Sequence, residues 1–274
     1  MVQAERTYEG TWRRLKNLSI DREGTPHHPE TAKAIGFRAP AVPGNTVSGA
    51  AMPAIVECFG ADWLEGGWYS FKFVTPVHAD EDVREVAEPA PECDGVVNLR
   101  VETREDRLCC VGQAGAGGGP PWQPELDGTQ AGDVFPHIEL GRSLDEIEFT
   151  AKESEGSRAV DASGDRTAWY GDSSPWGRPI VPPGRLMNEA LEQVRAHVQM
   201  GDAVISPLIW AEHAVHFEHP LFLDVPYRMA QQFVDKGRSG RAGYVTQEFT
   251  VRDSAGVLFA TGRHKLKWLM APGT

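Results

Sequence analysis

The chain has 274 residues, of which 41% are hydrophobic and 24% are charged, a composition typical of a globular protein rather than a disordered one. Its formal net charge is −12. This charge argues against a protein that binds nucleic acid or an anionic membrane surface, because both partners require a positive face.

The beginning of the chain and its cysteines are typical of a cytoplasmic protein. The first 12 residues carry Glu5, Arg6 and Glu9 but no apolar core of a secretory signal. No apolar run reaches the roughly 20 residues of a membrane-spanning helix. The absence of such a run and the negative net charge predict no membrane partner. The four cysteines lack the spacing of metal ligands, so we expect free thiols and no metal site.

The first half of the chain predicts one central helix followed by an antiparallel set of strands. Residues 46–59 are small and apolar, which favours a helix buried on most sides, with a kink expected at Pro53. Four alternating stretches then predict strands at residues 68–74, 83–88, 96–102 and 108–113.

A segment rich in glycine and proline separates the two halves. Residues 112–124 read GQAGAGGGPPWQP, a composition that disfavours both a helix and a central strand. We therefore predict an amino-terminal unit over residues 1–113, a flexible linker over 114–133 and a carboxy-terminal unit over 134–274.

The second half predicts the same order of elements. Residues 185–198 place apolar side chains at helical spacing, which indicates an amphipathic helix. Alternating stretches predict strands at 209–217, 227–235, 242–252 and 257–268, with a hairpin turn at 253–256.

A repeated motif supports two copies of one unit. Residues 73–80 and 217–224 share the pattern F-x-x-P-apolar-x-x-D at a separation of 144 residues. Three further short matches occur in the same order in both halves, among them a Pro-x-Val-Pro stretch before each predicted helix. A helix followed by an antiparallel meander, present twice, predicts an α+β fold in which the sheet wraps each helix.

This arrangement resembles the hotdog fold, and two copies in one chain resemble the double-hotdog enzymes of the MaoC-like dehydratase family, the (R)-specific enoyl-CoA hydratases. The family's motif is G-D-x-N-P-x-H, followed further along the chain by I-V-x-G at the helix start. In the first copy the residues E-G-T-P-H-H align with it, so that Glu23 stands for the Asp, Thr25 for the Asn and His28 for the catalytic His.

The second copy departs from the motif at its last residue. Its sequence G-D-R-T-A-W-Y keeps the acid as Asp165, has Thr167 in place of Asn, and has Tyr170 where the family has His. The spacing of five residues from acid to base is the same in both copies. The resemblance implies that Glu23 with His28, and Asp165 with Tyr170, form the catalytic pairs.

The implied reaction adds water to a 2-enoyl thioester or removes it from a 3-hydroxyacyl thioester. An imidazole has a pKa suited to moving this proton at neutral pH. Backbone N–H groups at a helix start can stabilise the negative charge that grows on the thioester oxygen. The resemblance assigns this role to Gly44 in the first copy and to Gly184 in the second, with Thr25 and Thr167 as further substrate contacts.

The residues also allow interpretations without catalysis. His28 could be an exposed loop histidine, with its neighbour His27 facing solvent, and Glu23 could be a charge in a solvated turn. Asp165 could cap a turn or helix, and Tyr170 could serve packing alone. Three histidines at 213, 216 and 219 do not indicate a metal site, because residues three apart on a strand point to opposite faces.

Several functions therefore remain open at this point. The first is the hydro-lyase, with a small-molecule acyl thioester on coenzyme A or an acyl carrier protein and no further cofactor. A hotdog isomerase, cyclase or thioesterase is the alternative, with the helix carboxylate Glu189 as the base of a thioesterase. The third is a non-catalytic subunit that binds acyl thioesters. A homodimer is compatible with each of them.

Overall fold

The computed structural model describes residues 6–118, 134–171, 174–197 and 207–269. Within these ranges the chain forms four α-helices and eleven strands. The helices are α1 (Pro29–Ala34), α2 (Gly44–Phe59), α3 (Glu153–Ser163) and α4 (Leu186–His197). The strands of the first copy are β1 (Tyr8–Glu9), β2 (Arg13–Arg14), β3 (Gly67–Phe73), β4 (Asp82–Pro89), β5 (Val96–Thr103) and β6 (Leu108–Ala116). Those of the second are β7 (Ile147–Thr150), β8 (Ile209–Phe217), β9 (Pro226–Ser239), β10 (Ala242–Arg252) and β11 (Leu258–Leu269).

All eleven strands belong to one antiparallel sheet. Its order is β1-β4-β5-β6-β3-β8-β11-β10-β9-β7, and β2 pairs with β4 beside β1. The first copy therefore supplies one half of the sheet and the second copy the other half. The eight long strands and two long helices agree with the predicted elements to within a few residues, except that β9 continues four residues beyond the predicted end.

The pairing of β3 with β8 joins the two halves and defines their symmetry. Phe73 and Phe217 occupy equivalent places in the repeated motif, which makes Ser70 equivalent to Ala214. Ser70 and Ala214 are also direct partners in the antiparallel β3–β8 ladder. Two equivalent residues that pair with each other must lie on a pseudo-twofold axis, so the axis passes through this pair.

The first central helix, α2, is buried because its side chains are small and apolar on almost every face. It follows Pro43, continues through Pro53 and ends before Gly60, whose φ of 69° suits glycine. Ala50, Ala54 and Ile55 have no exposed surface. This burial confirms the prediction that the helix is covered on several sides.

Several short elements were not predicted from the sequence. The most consequential is α3, which begins after Lys152 and packs on α2. The carboxylate of Glu155 accepts a hydrogen bond from the Lys152 backbone N–H, as in a capping box. Most of the predicted linker, residues 119–133, lies outside the described residues, and so does the predicted end of the second helix at Val198.

A buried polar contact lies beside the pseudo-twofold axis. Tyr69 and His213 are equivalent in the two copies, and the Tyr69 hydroxyl lies 2.7 Å from His213 Nε2. Burial, together with the neighbouring His264, holds the pKa of His213 well below its ordinary value. The imidazole is therefore neutral, and the contact ties the two copies together without a buried charge.

The close packing at this axis predicts a cost for adding a single methyl group. A Cβ on Gly262 would overlap the Phe249 ring and lie 2.7 Å from the Ala214 carbonyl oxygen. We expect Gly262→Ala to lower the free energy of unfolding by about 1–3 kcal/mol, because the core must shift to admit it. Urea denaturation measures this change.

Gly171→Ala is the matched control. Gly171 has a φ of −124°, and the nearest atom to an added Cβ lies 3.8 Å away. This variant should stay within about 0.5 kcal/mol of wild type. Equal destabilisation by both substitutions would contradict the packing described here.

Candidate active site

A cavity with a volume of about 970 Å³ has walls from both copies. The first copy contributes the loop before α1 and the start of α2. The second copy contributes α3, α4 and the start of β8. Its lining includes Arg22, Thr25, His27, Gly44, Arg158 and Trp210. A volume of this size suits a small molecule of the size of an acyl thioester.

Backbone hydrogen bonds align the two loops that carry the sequence motif. The Ala41 N–H donates to the Pro26 carbonyl at 3.0 Å, and the Ile180 N–H donates to the Trp169 carbonyl at 3.0 Å. Ala41 forms an isolated bridge with His78, and Ile180 forms one with Phe222. His78 and Phe222 are equivalent in the repeated motif, so Ala41 and Ile180 are equivalent as well. Pro26 is therefore equivalent to Trp169, a separation of 143 residues.

This alignment shifts the predicted equivalence of the two copies by one residue. His27, and not His28, is equivalent to Tyr170. Five residues before each of them lie Arg22 in the first copy and Asp165 in the second. The first copy therefore has an imidazole at the position of the base and a guanidinium where the second copy has a carboxylic acid.

The predicted pair of the first copy does not meet at the cavity. Glu23 is exposed, and His28 immediately precedes α1; neither lines the cavity. His27 was expected to face solvent but is half-buried and lines the cavity together with Thr25. The structure thus brings Thr25 to the cavity as predicted and places His27 there in place of His28.

The orientation of the His27 ring is set by a backbone contact. Its Nδ1 lies 2.8 Å from the Ala41 carbonyl oxygen, which accepts a hydrogen bond from Nδ1–H. In the neutral ring this tautomer leaves the lone pair on Nε2. Thr25 supports the loop, since its hydroxyl donates to the Arg22 carbonyl at 2.7 Å.

The start of α2 presents backbone donors to the same cavity. The N–H groups of Thr46 and Val47 both donate to the Pro43 carbonyl, at 2.9 and 3.1 Å. The amides of Gly44 and Asn45 have no hydrogen-bond partner among the described residues, and both residues line the cavity. These amides lie at the positive end of the helix dipole, where an anionic oxygen is stabilised.

Packing requires a glycine at position 44. A Cβ at this position would overlap the ring of Trp210, which forms part of the cavity wall. The indole N–H of Trp210 and that of Trp268, another lining residue, are buried without a hydrogen-bond partner. The cavity wall therefore offers aromatic surface.

The predicted residues of the second copy form a closed cluster outside the cavity lining. Tyr170 donates its hydroxyl to Asp165 Oδ2 at 2.8 Å, and Thr167 donates both its N–H and its hydroxyl to Oδ1, at 2.9 and 2.7 Å. Asp165 is 2% exposed and Tyr170 is 7% exposed. Burial raises the pKa of Asp165 above its ordinary value despite these donors, and it also raises the pKa of Tyr170.

A buried arginine connects this cluster to the first copy. Arg13 donates through Nε to the Ser163 carbonyl at 3.0 Å and through Nη2 to the Ala50 carbonyl of α2 at 2.6 Å. It also forms an ion pair with Glu85, whose carboxylate is almost fully buried. Its positive charge lowers the pKa of Asp165, although less than burial raises it.

The remaining predicted residues are held by structural contacts. Gly184 packs against the start of α2, where an added Cβ would lie 2.9 Å from the Asn45 carbonyl oxygen. Glu189 is paired with Arg185 at 2.8 Å and does not line the cavity. Of the three spaced histidines, His213 is buried, whereas His219 is exposed beyond the end of β8.

Comparisons with solved structures establish the fold. The chain superposes on a MaoC domain dehydratase from Chloroflexus aurantiacus with a TM-score of 0.64 and 11% identity, covering 97% of this chain and 95% of that one. A Mycobacterium tuberculosis protein with a double hotdog fold gives 0.63 and 14%, covering 97% and 96%. This protein is a double hotdog. The predicted α+β double-hotdog architecture is confirmed.

A thioesterase has the same kind of fold. The acyl-CoA thioesterase II of Mycobacterium marinum gives a TM-score of 0.50 and 12% identity over 84% of this chain and 90% of that one. No protein-family model and no curated protein matches the sequence. Within the described ranges, none of the helices combines the length and the apolar composition that crossing a membrane requires.

The raised pKa of Asp165 predicts how stability changes with pH. The folded state holds the Asp165 proton more tightly than the unfolded state does. The contribution of this carboxyl to the free energy of unfolding is therefore present at acid pH and is lost as pH rises through the raised pKa. In Asp165→Asn, the amide can accept from Thr167 and donate to Tyr170 at every pH. We expect the Tm of wild type to fall relative to this variant as pH rises from 3.8.

Thermal unfolding followed by circular dichroism measures this difference. Asp161→Asn changes an exposed carboxylate on α3 and serves as the control, which should track wild type within the small effect of a surface pair with Lys16. A difference between wild type and Asp165→Asn that stays constant with pH would contradict the assignment.

Proposed function

We propose that the protein is a hydro-lyase that hydrates 2-enoyl thioesters or dehydrates 3-hydroxyacyl thioesters in the cavity that contains His27. The observation that carries this proposal is the meeting of two chemical groups at one cavity. These are the imidazole of His27, fixed as one tautomer, and the two amides at the start of α2. The dehydratase named among the structural neighbours supports the same reaction class.

The imidazole can carry the proton through the reaction. In dehydration, His27 Nε2 removes a proton from the carbon next to the thioester carbonyl, and the electron pair of that C–H bond forms an enolate. The bond between the next carbon and its hydroxyl then breaks. The protonated imidazole returns its proton to the departing oxygen, which leaves as water.

One base suffices for both proton transfers if the C–H and C–O bonds lie on the same face of the substrate. This requirement matters here, because Arg22 occupies the place at which the second copy has an acid. A guanidinium cannot donate a proton at neutral pH. Proton transfer therefore falls to His27 in this proposal, with water as product or co-substrate.

The helix start stabilises the enolate. Amides of Gly44 and Asn45, which have no acceptor within the described ranges, can donate to the thioester oxygen as negative charge grows on it. Removing one such donor costs other enzymes about a hundredfold to a thousandfold in rate. The buried indole surfaces of Trp210 and Trp268 exclude water around the acyl chain, which strengthens these hydrogen bonds.

Thioester hydrolysis is the less favoured reaction. The carboxylate proposed for it, Glu189, forms an ion pair with Arg185 and is absent from the cavity lining. Coenzyme A and an acyl carrier protein both remain candidates for the thioester carrier. A cytoplasmic location, a homodimer and the catalytic roles of Glu23, His28, Asp165 and Tyr170 stay predictions.

Replacing the two adjacent histidines separately tests the proposal. We expect His27→Gln to lower kcat for hydration of short 2-enoyl-CoA substrates by about 10² to 10⁴, the value of a positioned acid–base group. His28→Gln, the matched control one residue away, should stay within about twofold of wild type because its side chain does not line the cavity. Loss of enoyl absorbance measures both rates.

Three results would contradict the proposal. Wild type could leave all short, branched and aromatic enoyl thioesters unchanged. His28→Gln could lose activity while His27→Gln keeps it. Free thiol could appear in step with substrate loss, which would identify a thioesterase instead.

A further inference from the structure

The cavity lining is positively charged in a protein that is strongly negative overall. Three arginines and one glutamate line it, namely Arg22, Arg158, Arg185 and Glu155, whereas the whole chain has a net charge of −12. An acidic protein that concentrates arginines at one cavity creates a local potential that attracts an anion.

Two of these arginines have no acidic partner in the part of the chain that the structure describes. Arg185 is balanced, since it pairs with Glu189 at 2.8 Å and with Glu155 at 3.3 Å. The guanidinium groups of Arg22 and Arg158 form no ion pair with any carboxylate of the described residues. Both residues are exposed where they line the cavity, so their charges are accessible to an anionic ligand.

Arg22 is an exposed residue that lies five positions before His27 and lines the same cavity. It is equivalent to Asp165, and Asp165 contacts Tyr170, the residue equivalent to His27, at 2.8 Å. In the second copy, the side chain at this backbone position reaches the residue equivalent to the base. Arg22 occupies the same backbone position in the first copy. The phosphates of coenzyme A lie at the far end of the pantetheine arm, away from the thioester, and do not explain a cation at this position.

We propose that the acyl group handled in this cavity carries a second acidic group, a carboxylate, and that Arg22 binds it, with Arg158 adding positive charge on the wall that α3 contributes. This inference rests on the proposed function and narrows its substrate class to thioesters of dicarboxylic acids. Arginine suits this role because its planar guanidinium donates two parallel hydrogen bonds to a carboxylate.

The test compares two ligands that differ in charge and by one methyl group: an ω-carboxylated acyl thioester and its methyl ester. Binding of the saturated forms to the full chain is measured by calorimetry, which requires no turnover, and hydration of the 2-enoyl forms is measured in parallel. We expect wild type to favour the acid by about tenfold to a hundredfold, the value of a charge-assisted hydrogen bond. Arg22→Gln should remove most of this preference.

Arg166→Gln is the matched control, because Arg166 is exposed on the equivalent loop of the second copy and does not line the cavity. It should keep the wild-type preference. Arg22→Asp should reverse the preference towards the ester, since it places a carboxylate where the acid would bind. Both ligands are offered on coenzyme A and on N-acetylcysteamine, a carrier without phosphates.

The outcomes separate this inference from the proposed function. A preference for the acid that persists on N-acetylcysteamine and disappears in Arg22→Gln supports it. If Arg22→Gln weakens acid and ester equally, and only on coenzyme A, the arginine binds carrier phosphates and the inference fails. Hydration of the ester as fast as the acid by wild type would also overturn it, yet would leave the hydro-lyase intact. Acid-selective binding without hydration would support the carboxylate site and contradict the hydro-lyase.

Discussion

The antiparallel pairing of β3 with β8 is the interaction on which the rest of the structure depends. It is centred on Ser70 and Ala214, equivalent residues that lie on the pseudo-twofold axis. Because this pairing makes one sheet from two copies, α2 and α4 share a single interior, and the elements outside one copy's helix pack on the other copy. The contact of α3 with α2 is one result, and the cavity between the first loop and α4 is another. Neither copy alone has the residues to enclose that cavity.

The symmetry also explains how the two copies diverged. The loop that carries the sequence motif is present in both copies, but its polar residues form different contacts in each. In the second copy, the buried side chain of Asp165 accepts hydrogen bonds from Thr167 and Tyr170. In the first copy, the equivalent positions are Arg22 and His27, and both residues line the cavity. Under the proposed function, the first copy carries the chemistry, whereas the equivalent polar residues of the second copy bond to one another.

The sequence predicted the eight long strands and the two central helices but missed α3 and the short strands. The long strands and α2 follow from alternating and small apolar residues, and the motif separation of 144 residues agrees with the pair found on the axis. The base was assigned to His28 because residues 25–28 follow the motif N-P-x-H and His28 lies five residues after Glu23. The backbone bond between Ala41 and Pro26 instead makes His27 equivalent to Tyr170. The helix α3 was missed because its apolar face is narrow. No pattern in the sequence showed that Gly44 must leave room for Trp210, since that contact joins residues of different copies.

A crystal structure with a substrate analogue that has a methylene group in place of the thioester sulfur tests the central claim most directly. The account predicts that the analogue lies in the cavity between the two copies. Its carbonyl oxygen should accept from the Gly44 or Asn45 amide, and its second and third acyl carbons should face His27 Nε2. An analogue bound against Asp165 and Tyr170, or a carbonyl remote from the start of α2, would contradict it.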